Sequence, residues 1–465
     1  MLRKSLIMDH LRVLPIEYLQ SKEEGKNILN YQQRIDEIMQ SDTCDLQKEE
    51  FAGNLLDEMY NLPIDESFPY KEPSTLKEIK ALRPVFAYEN SNTKISPDKL
   101  FDKIYGAWLG RCTGCLLGQP IEGWKLAQIR ELLKDTNNYP LTDYISSNIK
   151  DSIKEKHSIA DQYYLFGNKP ITINWINNIT RMPEDDDINY TIASLHILET
   201  YGWDFNSDDV AESLLLNIPL LHTYTAERIA YRNLSLYKFP PLSAVYRNPY
   251  REWIGAQIRG DFWGYINGGD IEMAAEMAFR DASVSHVKNG IYGEMFVSAM
   301  IAAAMTSDDI EFIINCGLSQ IPATCRLTEY VNIIVSAKNN GWDEEQVIAH
   351  IHTSFDEKQI HHWCHTIPNA MIVCFALLYG NKDFKKSLSL AIMPAFDTDC
   401  NAATVGSIIG LISGASQIPL KWTAPLNDTV CSGVRGFDEV SISSLAQRTV
   451  DIILEKEKAK CLAHQ

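Results

Sequence analysis

Apolar residues along this chain recur at intervals of three and four, seldom two. Val210–Leu216, Ile271–Arg280, Gly293–Met305, Glu329–Ser336, Glu344–Ile351 and Ala370–Leu378 each carry them at helical spacing. Alternating runs that would mark strands are nearly absent. The pattern predicts an all-α protein. Residues 1–95 read differently, because Glu, Lys, Asp and Gln dominate there. Amphipathic helices are expected over Ile28–Met39 and Phe51–Tyr60, followed by punctuation at Pro63, Pro69, Pro73 and Pro84. The chain divides accordingly into a helical N-terminal extension, residues 1–95, and one large helical domain, residues 96–465. The extension is expected to pack on the main body or on a partner.

Two segments carry small residues every four positions: Gly106, Gly110, Gly114 and Gly118, then Ala402, Gly406, Gly410 and Gly414. On a helix such a row falls along one side and lets another backbone approach closely. Glycine costs about 1 kcal/mol relative to alanine in a helix, so four in a row imply a packing need. In a membrane the pattern would mark a dimer face. Arg111, Asp397, Asp399 and the short length favour a soluble core contact instead.

Composition narrows the function classes. With 45% hydrophobic and 22% charged residues, the chain can bury a large core. A net charge of −18 argues against nucleic acid or an anionic membrane as the main partner. Ten scattered cysteines form no disulfide framework. Arg3 and Lys4 precede an apolar run that Asp9, His10 and Arg12 interrupt, so a signal peptide is not expected. No uncharged apolar run reaches the length of a membrane span. A cytoplasmic protein is the expectation.

Two acidic loops could carry chemistry. Pro183-Glu184-Asp185-Asp186-Asp187 precedes a helical pattern in Ile188, Ile192, Leu195 and Leu198. Four adjacent carboxylates repel one another, and a helix N-terminus offsets only about 0.3–1 kcal/mol per charge. A divalent cation would offset more, while a solvated helix cap is the plainer alternative. Asp397-Thr398-Asp399 opens the second glycine-striped helix, and such a pair can face one cation or bridge two. Glu122, just beyond the first striped helix, is a third candidate.

These motifs resemble those of the ADP-ribosylglycohydrolases, from Gly106 to about Thr449. Gly106-Ala107-Trp108-Leu109-Gly110, continuing to Gly118-Gln119-Pro120-Ile121-Glu122, is similar to the family's opening Gly-rich helix and its Glu. Asp185-Asp186-Asp187 resembles its Ser/Thr-Asp-Asp loop, and Asp397-Thr398-Asp399-Cys400-Asn401-Ala402-Ala403 its Asp-x-Asp-Thr-Asn-Ala-Ala loop. The resemblance implies a single orthogonal helical catalytic domain and two divalent cations, Mg²⁺ or Mn²⁺. Asp185, Asp186, Asp187, Asp397 and Asp399 are implied as metal ligands, with Cys400 at the position of a Thr ligand. It further implies a hydrolase, a glycosidase that cleaves a ribosyl bond, above all that of an ADP-ribosyl group on a small molecule or protein. Glu122 and Asp186 are then the expected acid/base residues. His286, Asn289 and Gly290 are the expected substrate contacts, since Ser285-His286 stands where members often have Thr-His. The chain departs from the pattern at Asp185, Ile188, Cys400 and Cys115. A thiol is a poor Mg²⁺ ligand, so Cys400 points toward a softer second site.

Other signals have plainer readings. Cys112-Thr113-Gly114-Cys115 lacks the second pair of a zinc site, and a buried structural role is expected. His361-His362-Trp363-Cys364-His365 resembles a ligand cluster, with packing the expected role and zinc or substrate the alternatives. Arg247, Arg251 and Arg259, interleaved with Trp253, Phe262, Trp263 and Tyr265, would suit a diphosphate and a base, or ordinary packing. Competing functions are hydrolysis of another N- or O-riboside or nucleoside-like metabolite, an Asp-x-Asp phosphohydrolase, and a non-catalytic ligand-binding protein on the same scaffold.

Overall fold

The computed structural model describes residues 8–88, 95–163 and 170–463, so Arg3 and Lys4 lie outside it. In chain order, the helices that frame the site are α1 (His10–Glu23), α2 (Pro97–Gly118), α3 (Asp186–Tyr201), α4 (Ile271–Ala282) and α5 (Asn289–Ala304). They continue with α6 (Arg326–Asn339), α7 (Thr366–Gly380), α8 (Thr398–Ser413) and α9 (Ile442–Ala463). Strand is confined, among the described residues, to two antiparallel hairpins. Gln162–Tyr163 pairs with Ile171–Thr172, and Thr429–Cys431 with Glu439–Ser441. The all-α reading holds. No described helix is long and apolar enough to cross a membrane.

Every residue of α5 and of α7 is buried. A helix that is apolar all round belongs inside the molecule, and α4, α6 and α8 pack around these two. The sharpest contact is between α2 and α8, which run antiparallel with their glycine rows face to face. A Cβ on Gly110 would lie 2.0 Å from the Gly406 carbonyl oxygen, and one on Gly406 2.1 Å from that of Gly110. Gly106 meets Gly410 O at 2.3 Å, and Gly114 meets Ala402 O at 1.9 Å, by the same measure. The two rows thus serve one another. α9 closes the outer side of α2, where Trp108 Nε1 donates to Thr449 Oγ1 at 3.2 Å.

The N-terminal extension packs on the main body. Its helices over Tyr31–Gln40 and Asp45–Tyr60 match the predicted amphipathic stretches, with the second starting earlier. The sequence pattern does not reveal α1, because half of the residues it buries are polar. Glu17, Gln20 and Ser21 are buried there beside Val13, Leu14 and Ile16. Arg251, fully buried, donates to Glu17 at 2.6 Å and Glu24 at 2.9 Å, while Gln20 Nε2 donates to Glu252 at 2.7 Å. Further along, Glu72 accepts from Arg326 at 2.8 Å. Arg247 pairs with Asp57 and Arg251 with Glu17 and Glu24 across the junction of extension and body, while Arg259 pairs with Glu227 and Asp281 inside the body. The described cysteines are all free thiols.

The α2–α8 crossing leaves no room for a methyl group, and the atoms opposite are backbone that cannot rotate away. Gly110→Ala should cost about 3 kcal/mol or more, read as a lowered thermal midpoint by circular dichroism. A midpoint unchanged from wild type would contradict the contact.

Candidate metal centre

The antiparallel crossing sets the end of α2 against the start of α8. A Cβ on Gly118 would lie 2.3 Å from the Asp399 amide nitrogen, and Thr398 Oγ1 donates to the Gly118 carbonyl at 3.0 Å. Glu122 follows α2 after the short turn Gln119–Ile121. The other acidic loop reaches the same place from the hairpin: Met182 N donates to Thr429 O, and Cys431 N to Met182 O, both at 2.9 Å. Asp185 then caps α3, accepting from Asp187 N at 2.9 Å and from Gln119 Nε2 at 2.6 Å. Glu184 turns aside to pair with His222 and Asn189.

Two overlapping ligand sets result. Cys115, Asp185, Asp187 and Asp399 each present one ligand atom, all within 4.8 Å of one another, and so do Asp397, Asp399 and Cys400. Asp399 belongs to both. Among the buried oxygens without a hydrogen-bond partner are Asp187 Oδ2, Asp397 Oδ1 and Asp399 Oδ1. A buried carboxylate oxygen left unpaired is costly, so three in one place fit cations bound by oxygen ligands. The nearest cationic group is buried Arg111, whose Nη2 lies 3.2 Å from Asp187 Oδ1 and whose Nη1 lies 3.0 Å from Asp261 Oδ2. Its donor to the Ile258 carbonyl at 2.6 Å holds it behind the acids.

The charges strain one another. Burial first, then neighbouring acids, raise the carboxyls of Asp186 and Asp399 well above the usual range. Asp187 is raised by burial against the pull of Arg111, and Asp397 by burial against hydrogen bonds from Asp399 and Cys400. Burial and the charges of Asp397 and Asp185 push Glu122 up to about 8. Its side chain stays open to solvent on one side, which screens part of that effect. Burial, then the carboxylates around them, also raise the Cys115 and Cys400 thiols, which are neutral at neutral pH.

The structure thus brings together Glu122, Asp185, Asp186, Asp187, Asp397, Asp399 and Cys400. It places His286, Asn289 and Gly290 elsewhere. His286 is buried against Ser285 Oγ at 2.8 Å, and Asn289 donates to Glu72 at 2.8 Å and Glu252 at 2.7 Å. A Cβ on Gly290 would lie 2.6 Å from the Arg251 carbonyl. Asn289 and Gly290 belong to the ionic framework that anchors the extension, whereas His286 lies 3.7 Å from Glu227, inside the main body. Cys115 stands among the acids, although the sequence reading assigns it a structural role. Arg111, Cys115 and Gln119 went unnoticed as site residues, yet they form a row with four-residue spacing beside the glycines. Asp397-Thr398-Asp399 opens a helix that directly follows the helix Phe384–Ile392, not a strand, which removes the phosphohydrolase alternative.

A family model, ADP-ribosylglycohydrolase, matches residues 96–459. The chain belongs to the ADP-ribosylglycohydrolase family. It is therefore a hydrolase of the glycosidase type. No curated protein matches it. Among solved structures, an "ADP-ribosylglycohydrolase-related protein complex" is similar at 14% identity and a TM-score of 0.43, over 77% of this chain and 99% of that one. A likeness that distant carries no argument.

A carboxyl raised on folding stabilises the protein below its ordinary titration range and loses that contribution as pH climbs toward the raised value. In chelator, Glu122→Gln should therefore stabilise the protein, by an amount that grows from about pH 5 to about 8. Added Mn²⁺ should raise the wild-type midpoint more at pH 8 than at pH 5.5, because cations need the ionised acids. Calorimetry at several pH values checks both; a Mn²⁺ shift independent of pH would count against the acid cluster.

Proposed function

We propose that this protein hydrolyses a ribosyl glycosidic bond, above all that of an ADP-ribosyl group, with two divalent cations held by its acidic loops. The observation that carries the reading is the convergence of the unpartnered Asp187, Asp397 and Asp399 oxygens from two loops of a family member. Asp185, Asp187 and Asp399 would hold one cation and Asp397, Asp399 and Cys400 the other, with Cys115 beside the first. Bound Mg²⁺ or Mn²⁺ supplies charge neutralisation and a grip on ribose hydroxyls.

The chain's own groups handle the protons. Asp186 is half-buried at the head of α3, where it can take a proton from an incoming water. Glu122 has solvent on one side and a carboxyl raised by its surroundings, which suits it to give a proton to the leaving atom. Gln119 orients Asp185, and Arg111 fixes Asp187 from behind.

A second reading keeps the mechanism and changes the substrate to another N- or O-riboside. It is favoured by the burial of Asn289, an expected substrate contact, in the framework. A panel of ADP-ribosyl-arginine, ADP-ribosyl-serine, ADP-ribose-1″-phosphate and simple nucleosides, assayed with Mg²⁺, Mn²⁺ or chelator, separates the two. ADP-ribose release is expected to need metal and to fall about a thousandfold in the Asp186→Asn/Asp399→Asn double variant. Turnover that persists in chelator, or in that variant, would refute the mechanism.

The thiols give a second test. Mn²⁺ should support turnover better than Mg²⁺, since sulfur is a soft neighbour for a hard ion. Cys400→Thr should narrow that ratio about tenfold, measured as kcat/KM with each metal.

A further inference from the structure

The histidine cluster is a receptor for a carboxylate. Glu23, His361 and His365 present ligand atoms within 4.8 Å of one another, which on distance alone would suit a transition-metal ion. The hydrogen bonds say otherwise. His361 Nδ1 accepts from Trp253 Nε1 at 3.0 Å, and an indole nitrogen can only donate. His362 Nδ1 accepts from the Asp356 amide at 3.0 Å, and His365 Nδ1 from the Ile367 amide at 3.2 Å. With Nδ1 an acceptor in all three neutral rings, the ring proton sits on Nε2. Those Nε2–H groups face the Glu23 carboxylate, at 3.3 Å from His361, 2.8 Å from His362 and 3.9 Å from His365. No imidazole lone pair remains to face a cation. Burial works against the Glu23 charge, but the His361 and His362 hydrogen bonds hold its carboxyl well below the usual range.

The segment bearing these rings also backs the second acidic loop. Trp363 Nε1 donates to the Phe396 carbonyl at 2.8 Å, and the Cys364 thiol lies 3.8 Å from Asp397 Oδ2. Asn369 donates to the carbonyls of Trp363 at 3.0 Å and His365 at 2.9 Å. Its Oδ1 accepts from the Asp397 amide at 3.2 Å and from Asn401 at 2.8 Å. Ala395 and Phe396, immediately before Asp397, have φ of 63° and 60°. Two consecutive side-chain-bearing residues in the left-handed region persist only where their surroundings hold them.

We propose that Glu23 is a positioning residue for the Asp397–Asp399 loop, so that the N-terminal extension completes the cation site. Glu23 ties the imidazoles of His361 and His362 into one unit, with His365 beside them, and that unit clamps the strained turn from which Asp397 projects. The rest of α1 does not depend on it, since Glu17 and Glu24 hold Arg251 and Gln20 holds Glu252. This inference rests on the reading of Asp397 and Asp399 as cation ligands.

The test is Mn²⁺ binding to the full chain by calorimetry, without substrate. Glu23→Ala is expected to bind Mn²⁺ about tenfold more weakly, with an unchanged far-ultraviolet spectrum. Formate, which can fill the vacated receptor, should restore most of the loss. Glu17→Gln weakens an anchor of the same helix without touching the imidazoles, and should stay within about twofold of wild type. Wild-type affinity in Glu23→Ala, a loss that formate does not restore, or an equal loss in Glu17→Gln would each overturn the proposal. Should Glu23→Ala not fold, Glu23→Gln keeps one acceptor oxygen, and wild-type affinity in that variant overturns the proposal as well. Asp397→Asn separates the two readings: undiminished binding there would defeat the cation site itself.

Discussion

Where α2 crosses α8, carbonyl oxygens of each helix press on the Cα atoms of the other, at Gly106, Gly110, Gly406 and Gly410. Any side chain on those rows would hold the helices apart, and the ends that carry chemistry would separate with them. The contact also sets direction. Because the helices run antiparallel, the end of α2, with Gln119 and Glu122, arrives beside Asp397-Thr398-Asp399 at the start of α8. The Thr398 bond to the Gly118 carbonyl then fixes the register at the site itself.

Around that crossing the molecule gathers more negative charge than a buried place tolerates without compensation. Arg111 answers Asp187 and Asp261, and its Nη2 also donates to the Asp187 and Ile258 carbonyls. The raised carboxyls of Asp186, Asp187 and Asp399 express the remainder. Such a site is poised for cations: its folded framework supplies the geometry, and its electrostatic deficit supplies affinity.

The N-terminal extension joins the body through buried charge as well as through apolar surface. Arg251 with Glu17 and Glu24, Arg326 with Glu72 and Glu252, and the histidines around Glu23 form buried sockets filled by residues of one short helix and its neighbours. Buried ion pairs add little net stability but are costly to break from one side. They make a docking whose geometry is specific, which suits the positioning role proposed for Glu23.

Much of this was legible in the residues. Helical periodicity marked the interior helices, because burial on every side writes apolar residues all round them. The two small-residue rows announced a close backbone contact, because only such contact repays glycine in a helix. The acids of the site were legible because two acidic loops, each opening a tightly packed helix, are more specific together than either is alone. Local pattern could not say that the two rows meet each other, or that Arg111, Cys115 and Gln119 turn toward the acids, since those facts depend on which helix packs where. It could not distinguish Asn289 in a framework from the same residue at a substrate. Nor could it show α1, half of whose buried residues are polar, with Glu17 and Gln20 finding their partners more than two hundred residues away. Periodicity reports that a face is buried; only the tertiary structure decides against what, because the partner of a buried charge is chosen by the packing of distant helices.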